Sequence, residues 1–307
     1  MLIDSATVAV VTGGSQGIGL GIARALARRG AALALLDIDP AAMEAAAAEL
    51  SPMTRVATRR VDVRDRAAMA AAADGIGADL GAVNLVVANA GVGLGVFQPL
   101  DRELRYSTWD YVVGVNLEGV NNTVQTFLPA MLERGAPGHV VTTASAAGLA
   151  VFPERSSGYT YHASKFAVVG LTEALRRGLA DLGSPVSASV LIPGLVATQV
   201  AANSVRHAPA ASVDPGDRER IGEMVAAGTA AAAALGRDPD AVGEQTLAAI
   251  EADALYIPTD RLAESAVRDR AAAVIAAMPP ASAYDGGLAA AMESRRSGGG
   301  GGRPARP

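Results

Sequence analysis

A tyrosine and a lysine in the segment SGYTYHASKF, residues 157–166, have the spacing of an acid–base pair. Tyr161 and Lys165 are four positions apart, so on an α-helix they lie about 40° apart on one face. Tyr159 precedes the lysine by six positions and falls on roughly the opposite side of the same helix. Tyr161 is therefore the tyrosine that a helix pairs with Lys165.

Proton transfer is the chemistry that such a pair supports. A free tyrosine has a pKa of about 10, so little phenolate exists at neutral pH. A nearby ammonium group favours the phenolate and lowers this pKa. A lowering by about two or three units would bring Tyr161 into the range where a general base works best.

A glycine-rich segment, TGGSQGIG at residues 12–19, follows the first predicted strand and precedes an amphipathic helix. Gly13, Gly17 and Gly19 have the spacing G-x-x-x-G-x-G rather than the commoner G-x-G-x-x-G. Glycines at such a turn let the backbone approach a pyrophosphate, whose charge the helix N-terminus favours. The segment therefore predicts a dinucleotide-binding loop.

Asp37 ends the second predicted strand, 18 residues after Gly19. A carboxylate there can accept hydrogen bonds from the adenosine ribose hydroxyls, and it repels a 2′-phosphate. Gln16 in the glycine loop is neutral, and the sequence has no Arg or Lys beside Asp37 to receive a phosphate. NAD is therefore the expected cofactor, and NADP is the weaker alternative.

The elements that must position these residues are alternating strands and helices. Strands are predicted at 7–13, 32–38, 55–63, 84–90, 138–145, 187–194 and 254–259. Helices are predicted at 17–29, 40–50, 65–74, 107–134 (as one helix or a broken one), 160–182, 217–235, 239–252 and 261–278, with a loop at 199–216. Most strands are continuous apolar runs, which is typical of strands covered on both faces. The predicted fold class is α/β, a Rossmann-type doubly wound parallel sheet flanked by helices in a single domain.

No linker divides the chain, so one domain is expected over 1–278, with 199–252 as a substrate lid or extension within it. The lid itself is expected at 199–235, whose loop-like start could order over bound substrate. The C-terminal tail, 279–307, ends in SRRSGGGGGRPARP and is predicted to be largely disordered, because Gly, Pro and Arg dominate it without an apolar period.

The composition excludes several classes of function. The net charge is −5 and no Lys/Arg cluster occurs, so no nucleic-acid partner is expected. No stretch reaches the roughly 18 unbroken apolar residues of a membrane span, and the start lacks a secretory pattern, so a cytoplasmic protein without a membrane partner is expected. Cysteine is absent, which excludes thiol catalysis. His139, His162 and His207 have no ligand spacing, so no metal site is expected.

Six motifs occur in the order of one known family. They are TGGSQGIG, NAG at 89–91, VNLEG with Asn116, a serine at 145, YHASK, and PGLVAT at 193–198. With these motifs the chain resembles the short-chain dehydrogenase/reductase family over nearly its whole length, to about residue 278. Any one of the motifs would be weak evidence, whereas all six in order are specific.

The resemblance implies roles for the matching residues. Tyr161 would be the general acid/base, and Lys165 would activate it and bind the ribose. Ser145 would polarise the substrate oxygen, and Asn116 would complete a proton relay through water. The expected cofactor-binding residues are Gly13, Ser15, Gln16, Gly17, Ile18, Gly19 and Asp37, together with Asp62 and Val63 at the adenine edge, Asn89 and Gly91 lining the cleft, Tyr161, Lys165, Pro193 and Gly194, and Val196 and Thr198 at the nicotinamide carboxamide.

One interval departs from the family pattern. Ser145 precedes Tyr161 by 16 residues, about three more than the family spacing, and a looped ERSSG at 154–158 could absorb the excess cheaply. This insertion makes Ser156 or Ser157 an alternative polarising hydroxyl, and whether it alters the substrate pocket is left open. Tyr159 is expected in the inserted loop at the cleft mouth, as a substrate contact or a surface aromatic. Trp109 is expected in the core.

The substrate cleft should be lined by 93–97, 147–152 and the segment after Thr198. These stretches are mostly apolar and have no Arg or Lys before Arg155, although Arg206 could contribute charge, which favours a neutral, fairly apolar substrate. An NAD-dependent oxidoreductase acting on a secondary alcohol or ketone is the leading interpretation. A reductive biosynthetic ketoreductase, a lyase or epimerase on the same scaffold, and a catalytically silent NAD-binding protein stay open as alternatives. By the resemblance, a homodimer or homotetramer packed through 107–134 and 160–182 is expected.

Overall fold

The computed structural model describes residues 1–97, 105–152, 158–213 and 215–298. Its strands are β1 (Val8–Thr12), β2 (Ala32–Asp37), β3 (Val56–Arg60), β4 (Leu85–Ala88), β5 (Gly138–Thr143), β6 (Val186–Ile192) and β7 (Tyr256–Pro258). They form one parallel sheet in the order β3-β2-β1-β4-β5-β6-β7. The predicted α/β class and the parallel sheet are confirmed.

The helices alternate with the strands along the chain. They are α1 (Gly17–Arg28), α2 (Pro40–Leu50), α3 (Arg66–Leu80), α4 (Tyr106–Val113), α5 (Gly119–Arg134), α6 (Tyr159–Asp181), α7 (Val200–Arg206), α8 (Arg218–Leu235), α9 (Pro239–Glu251), α10 (Glu264–Ala276) and α11 (Ala283–Gly298). Short 3₁₀ turns occur at Leu94–Phe97, Ala146–Gly148, Ala210–Ser212 and Pro215–Asp217. None of the helices in the described ranges combines the length and apolar composition needed to cross a bilayer.

Strand β1 shows that the sheet is covered on both faces. All five of its residues are buried, and successive side chains of a strand point to opposite faces. Val8 and Val10 belong to the hydrophobic cluster that includes residues of α3 and α5, whereas Ala9 and Val11 belong to the cluster that includes residues of α1 and α9. The continuous apolar run therefore has helices on both sides, as in a doubly wound sheet.

The strand order reverses beside β1, which pairs with β2 on one side and β4 on the other. In open α/β sheets a ligand binds in the crevice at this switch point, outside the carboxyl ends of the strands. The glycine loop follows β1 and the NAG segment follows β4. Both predicted motifs therefore lie at the edge where such a crevice forms.

One helical prediction is refined and another needs correction. The helix predicted at 107–134, as one helix or a broken one, is interrupted by one π-helical turn, Gly114–Glu118, which separates α4 from α5. The segment 199–216, predicted as a loop, contains α7 and two 3₁₀ turns. The NSVRHAPAASVDPGD composition suggested a loop, but α7 is stabilised by contacts with residues far away in sequence, which composition does not record.

The chain divides into two compact units, Met1–Ala266 and Val267–Pro307. The first unit ends before residue 278, the predicted domain boundary. The second contains most of α10 and the helix α11, so the described part of the tail is helical where disorder was predicted. The physical reason is local, because the alanines of LAAAM in α11 favour helix more than the flanking glycines oppose it.

Candidate active site

Lys165 is the only lysine among 307 residues, although the chain has 26 basic residues in all. It lies on α6 and is 4% exposed, and its Nζ donates a hydrogen bond to Thr143 O at 2.9 Å. Burial lowers the pKa of this lysine to about 8. All the other Lys/Arg positions are arginine, and Lys165 differs from them in carrying a compact ammonium that can titrate.

Tyr161 lies one helical turn before the lysine, and its ring centroid is 5.8 Å from Lys165 Nζ. The two side chains therefore share the face of α6 that the spacing predicts. A cation at this distance favours the phenolate form of a tyrosine. The pair has the arrangement that proton transfer at Tyr161 requires.

Asn116 lies in the π-helical turn and is fully buried. Its Oδ1 accepts from Val92 N at 2.8 Å, and its Nδ2 donates to Val92 O and to Ser164 Oγ. A Cβ on Gly91 would lie 3.3 Å from Asn116 Oδ1 and 3.4 Å from Lys165 Nζ. Glycine at 91 therefore keeps this polar cluster compact, and π-helical turns occur often at functional sites. The water relay through Asn116 stays a prediction.

Ser145 follows β5 after one intervening residue and begins the 3₁₀ turn Ala146–Gly148. Its Oγ accepts a hydrogen bond from Ala147 N at 3.2 Å, which leaves the hydroxyl proton available to a substrate oxygen. The alternative hydroxyls, Ser156 and Ser157, lie outside the described residues, as does Arg155. Ser145 is therefore the described serine that could polarise a substrate beside the β5 end.

The glycine loop requires glycine for two different reasons. Gly17 has φ +52°, a left-handed conformation that residues with a Cβ rarely adopt. At Gly19 the obstacle is space, because a Cβ there would lie 2.1 Å from Gly13 O and 2.7 Å from Asn89 Nδ2. The loop is therefore a close turn of backbone onto backbone.

Asn89 fixes this loop from the neighbouring strand end. Its Nδ2 donates to Thr12 O at 3.1 Å and to Gly13 O at 3.2 Å, and its Oδ1 accepts from Thr143 Oγ1 at 3.3 Å. Its backbone N–H donates to Thr12 Oγ1. Asn89 therefore joins the ends of β1, β4 and β5 by hydrogen bonds at the carboxyl edge of the sheet.

The start of α1 has the features of an anion site. Its N-cap residue, Gln16, makes no side-chain hydrogen bond to the first-turn amides, so these amides are available to a ligand. Ser15 Oγ is buried and has no hydrogen-bond partner among the described residues, and a phosphate oxygen would supply one. Ile18 packs against the core and adds only backbone groups. These residues fit the pyrophosphate of a dinucleotide.

The Asp37 carboxylate is held at the end of β2 by backbone donors. Oδ1 accepts from Ile38 N at 2.8 Å and Asp39 N at 3.2 Å, and Oδ2 accepts from Ser15 N at 3.2 Å. The sequence places no cation beside Asp37, but the fold brings one close, because Arg206 of α7 forms an ion pair with Asp39. The expectation that no Arg or Lys stands near Asp37 to receive a phosphate is therefore wrong, since Arg60 of β3 is also the register partner of Asp37. No ion pair of Asp37 itself occurs among the described residues.

Asp62 at the predicted adenine edge has a cationic partner within the chain. Arg64 Nη2 donates to its Oδ2 at 2.6 Å, and the Arg64 guanidinium lies 5.5 Å from the Tyr111 ring centroid. Burial raises the pKa of Asp62, but the bonds from Arg64 outweigh it, and the pKa lies below its ordinary value. Val63 is buried, and its carbonyl accepts from Asn122 Nδ2. Both adenine contacts stay predictions.

The segment after β6 is fixed by close contacts. Pro193 O accepts from Ala146 N at 2.8 Å, and Gly194 N donates to Thr259 Oγ1 at 3.0 Å. A Cβ at Gly194 would lie 2.2 Å from Asp260 Oδ2, so the chain passes there without room for a side chain. This contact ties the PGLVAT motif to the residues that follow β7.

The same segment then reaches the glycine loop. Val196 is buried and pairs with Arg237 in an isolated β-bridge. Thr198 lies against Gly17, where an added Cβ would come within 3.0 Å of Thr198 Cγ2. The fold therefore brings together motifs at 12–19 and 193–198, which are far apart in sequence, on one side of the crevice.

Two aromatic predictions need correction. Tyr159 begins α6 and does not lie in a loop, and Trp109 is 39% exposed and not in the core. Their rings stack with centroids 6.2 Å apart and an interplanar angle of 25°. The helical spacing of Trp109 with Val112 and Val113 suggested burial, but Trp109 lies toward the exposed edge of α4, where stacking covers part of its ring.

Sequence reasoning missed the role of α7. Ser204 Oγ accepts from Gly93 N at 2.7 Å, and Ser204 O accepts from Tyr111 Oη at 3.3 Å. One position earlier, Asn203 Nδ2 donates to Gln16 Oε1 at 2.9 Å. Helix α7 is therefore bonded both to the glycine loop and to the segment that follows β4. The alternation of small and polar residues in VAANSVR was the only signal in the sequence.

The histidines are placed in structural positions. His139 is buried on β5, its Nε2 is 2.7 Å from Ser189 Oγ, and burial lowers its pKa to about 4. The Nδ1 of His162 is 2.8 Å from Gly158 O. Over the described ranges, no three His, Asp or Glu side chains come together as a metal site would require.

Known proteins resemble this chain in sequence and in fold. The short chain dehydrogenase family matches residues 7–209. A C alpha-dehydrogenase of Sphingobium sp. (strain NBRC 103272 / SYK-6) is 34% identical over 251 residues, which cover 81% of this chain and 79% of that protein. A short chain dehydrogenase/reductase from Burkholderia phymatum, crystallised in complex with NAD, has a TM-score of 0.82 at 33% identity and covers 92% of this chain and 98% of its own. An alcohol dehydrogenase from the archaeon Thermococcus sibiricus, complexed with 5-hydroxy-NADP, has a TM-score of 0.62 at 28% identity over 80% of this chain and 90% of its own.

Proposed function

Since the chain belongs to the short chain dehydrogenase family, we propose that it is an NAD-dependent oxidoreductase acting on a secondary alcohol or ketone. The observation that carries the proposal is the sole lysine of the chain, buried beside the ring of Tyr161 at the carboxyl edge of the sheet. In this pair Tyr161 would transfer a proton to or from a substrate oxygen, and Lys165 would favour its phenolate form.

The nicotinamide cofactor, when bound, accepts or supplies the hydride. The protein supplies orientation and the proton acceptor. The Ser145 hydroxyl donates to the substrate oxygen, and Tyr161 Oη accepts the substrate hydroxyl proton during oxidation. Lys165 Nζ, largely protonated at neutral pH because its pKa is about 8, favours the phenolate that makes Tyr161 a base.

The residues of the crevice support NAD over NADP. Asp37 accepts only backbone hydrogen bonds among those described, so its charge is free to repel a 2′-phosphate while its oxygens can still accept from a ribose hydroxyl. The two relatives with bound cofactors differ, one holding NAD and the other 5-hydroxy-NADP. Cofactor choice therefore depends on the residues of this chain and not on the family.

The lining of the crevice supports a neutral, fairly apolar substrate. Of the residues that the sequence assigns to the cleft, Leu94 and Ala147 are buried, and Val151 and Val200 expose apolar surface. Carboxylated or phosphorylated substrates would need a cation, and Arg206, at the end of α7, is already paired with Asp39. The name of the Sphingobium relative, a C alpha-dehydrogenase, supports the oxidative direction over the reductive one.

Spectroscopy with NAD tests this proposal. The protein is incubated with NAD and a panel of secondary alcohols, and the absorbance of reduced nicotinamide is followed. Growth of this band with at least one apolar alcohol is the expected result. Substrate turnover with no net change in the band would instead indicate a lyase or epimerase, and tight NAD binding with no turnover would indicate a silent binding protein.

We further propose that the chain forms a homodimer or homotetramer through α4, α5 and α6. The exposed residues of α6 include Ala163, Gly170 and Ala174, small side chains that let a second helix approach closely, and most soluble oligomers are symmetric homo-oligomers. Light scattering coupled to gel filtration measures the assembly mass directly, and a monomer at micromolar concentration would contradict this. The cytoplasmic location stays a prediction.

A further inference from the structure

Asp39 and Arg206 form an ion pair between the N-terminus of α2 and the end of α7. Arg206 donates to Asp39 Oδ2, and Gln16 Nε2 donates to the same oxygen at 3.3 Å. The other carboxylate oxygen caps α2 by accepting from Ala41 N and Ala42 N. The Asp39 side chain is only 13% exposed, so it is fixed by four donors.

A pocket of about 540 Å³ lies between α1, α2 and α7 beside this ion pair. Among its lining residues Arg206 is the one cation, while Asp39 and Glu49 are acidic. Ser15, whose buried hydroxyl has no partner, also lines the pocket, and Ser15 N donates to Asp37 Oδ2. The pocket therefore borders the carboxylate that we propose for the adenosine ribose.

We propose that Asp39 excludes dinucleotides with a 2′-phosphate, because it occupies Arg206 and Gln16, the donors that would otherwise receive such a phosphate. This inference rests on the proposed use of NAD and deepens it. Asp37 repels the phosphate from the strand end. Asp39 repels it as well, and it is also paired with Arg206, the cation that could bind the phosphate. Cofactor choice would then depend on a residue of α7, about 170 positions after β2.

The physical reason lies in the character of the two ligands. A phosphate monoester carries about −1.5 to −2 charges at neutral pH, and arginine binds phosphate with two parallel hydrogen bonds. Arg206 already donates to Asp39 Oδ2 through Nη2, so this donor is unavailable to a phosphate while the ion pair persists. NAD brings only a neutral hydroxyl to this region, so it makes no demand on Arg206.

Asp39→Asn is the discriminating variant. Asparagine is as good an N-cap as aspartate, so α2 keeps its start while the charge is lost and Arg206 is released. Calorimetry on the full chain would measure the dissociation constants of NAD and NADP for each variant. We expect NADP to bind about tenfold tighter to Asp39→Asn, and NAD to change less than about threefold.

Glu49→Gln is the matched control. Glu49 lines the same pocket but pairs with Arg24, so this variant removes an equal charge and leaves Arg206 engaged. It should not change the NADP constant. In the double variant Asp39→Asn with Arg206→Ala, the gain for NADP should shrink to the part that comes from the lost repulsion, because the released cation is absent.

Each outcome decides the matter. An NADP constant unchanged in Asp39→Asn, a gain equal in Glu49→Gln, or a gain that loss of Arg206 does not reduce would each overturn the role of the ion pair while NAD still binds. If the unmodified chain binds neither dinucleotide, the proposed function fails as well. Asp39→Ser, another good N-cap, replaces Asp39→Asn if that variant does not fold.

Discussion

The two sides of the crevice are built from different kinds of contact. On the cofactor side the glycine loop is held mainly by bonds to backbone atoms at neighbouring strand ends, as from Asn89 to the carbonyls of Thr12 and Gly13. On the substrate side, α7 is held by contacts that span large sequence distances, as between Ser204 and Gly93, 111 positions apart. A backbone-built site leaves a motif in the sequence, because the backbone demands glycine at fixed positions. A site built from distant side-chain pairs leaves none.

Tyr161→Phe gives the largest expected effect. It tests the chemical step separately from the binding of cofactor and substrate on the two sides of the crevice. Loss of the phenol oxygen removes the general base, which contributes about 10²–10⁴-fold, so turnover should fall by at least about 100-fold. NAD affinity should not change, because the ring and Lys165 remain. Initial rates and calorimetric NAD binding measure the two quantities.

Tyr159→Phe is the matched control for that variant. It removes the same oxygen two residues earlier, on a ring that stacks against Trp109. Turnover should stay within about twofold of the original, and only substrate affinity should respond. Equal losses in the two variants would contradict the assignment of Tyr161 as the reactive tyrosine.

Lys165 offers a direct measurement of its environment. The chain has one lysine, so selective isotope labelling gives one side-chain ammonium signal that needs no assignment. In the unliganded protein this signal should titrate with a midpoint of about 8, below the ordinary 10.5, because burial disfavours the charged form. A midpoint at the ordinary value would contradict burial of the ammonium.

Stability should follow from the same lowered pKa. Between about pH 8 and 10.5 the unfolded state binds up to one more proton than the folded state at this group, so the free energy of unfolding rises with pH across that window, and this gain is lost as the pH falls from 10.5 to 8. The full difference is roughly 3 kcal/mol. Denaturant titrations at several pH values measure the free energy of unfolding. For Lys165→Met its rise between about pH 8 and 10.5 should be smaller by this amount. An unchanged rise would mean that other groups cause it.

Asp37→Ala tests the cofactor side alone. The variant removes an acceptor for the ribose hydroxyls and a repulsive charge, so NAD should bind about tenfold more weakly and the preference over NADP should narrow. Substrate KM at saturating cofactor should stay the same. An unchanged ratio of the two dissociation constants would refute the role of Asp37.

The sequence predicts the cofactor side well for a physical reason. Six of the seven strands lie within their predicted ranges and β6 begins one residue earlier than predicted, because apolar runs covered on both faces are long and unbroken. The glycine loop could be predicted as a close turn, because the local backbone conformation at Gly17 and the close approach of backbone at Gly19 both exclude a side chain. Helix α11 was not predicted. Its segment was expected to be disordered, because the glycines around it were given more weight than the weak helix preference of its alanines.

The substrate side could not be predicted to the same depth. The π-helical turn at Asn116 depends on a packing of Asn116 against Val92 and Ser164 that no local pattern announces. The pair of Arg206 with Asp39 joins residues 167 positions apart, and a single sequence contains no sign of it. Stacking of Trp109 on Tyr159 likewise depends on how two helices meet.

Ser204→Ala probes the substrate side with the smallest expected effect. Ser204 Oγ accepts from Gly93 N at 2.7 Å and is itself buried, so alanine leaves a backbone N–H without a partner at a cost of about 1–3 kcal/mol. That cost loosens the contact of α7 with the segment lining the cleft, and substrate KM should rise a few-fold. The affinity for NAD should hold, because Asn203–Gln16 and Arg206–Asp39 still join α7 to the cofactor side. A matching fall in NAD affinity would mean that α7 responds as one rigid unit, and the separation of the two sides would then be wrong.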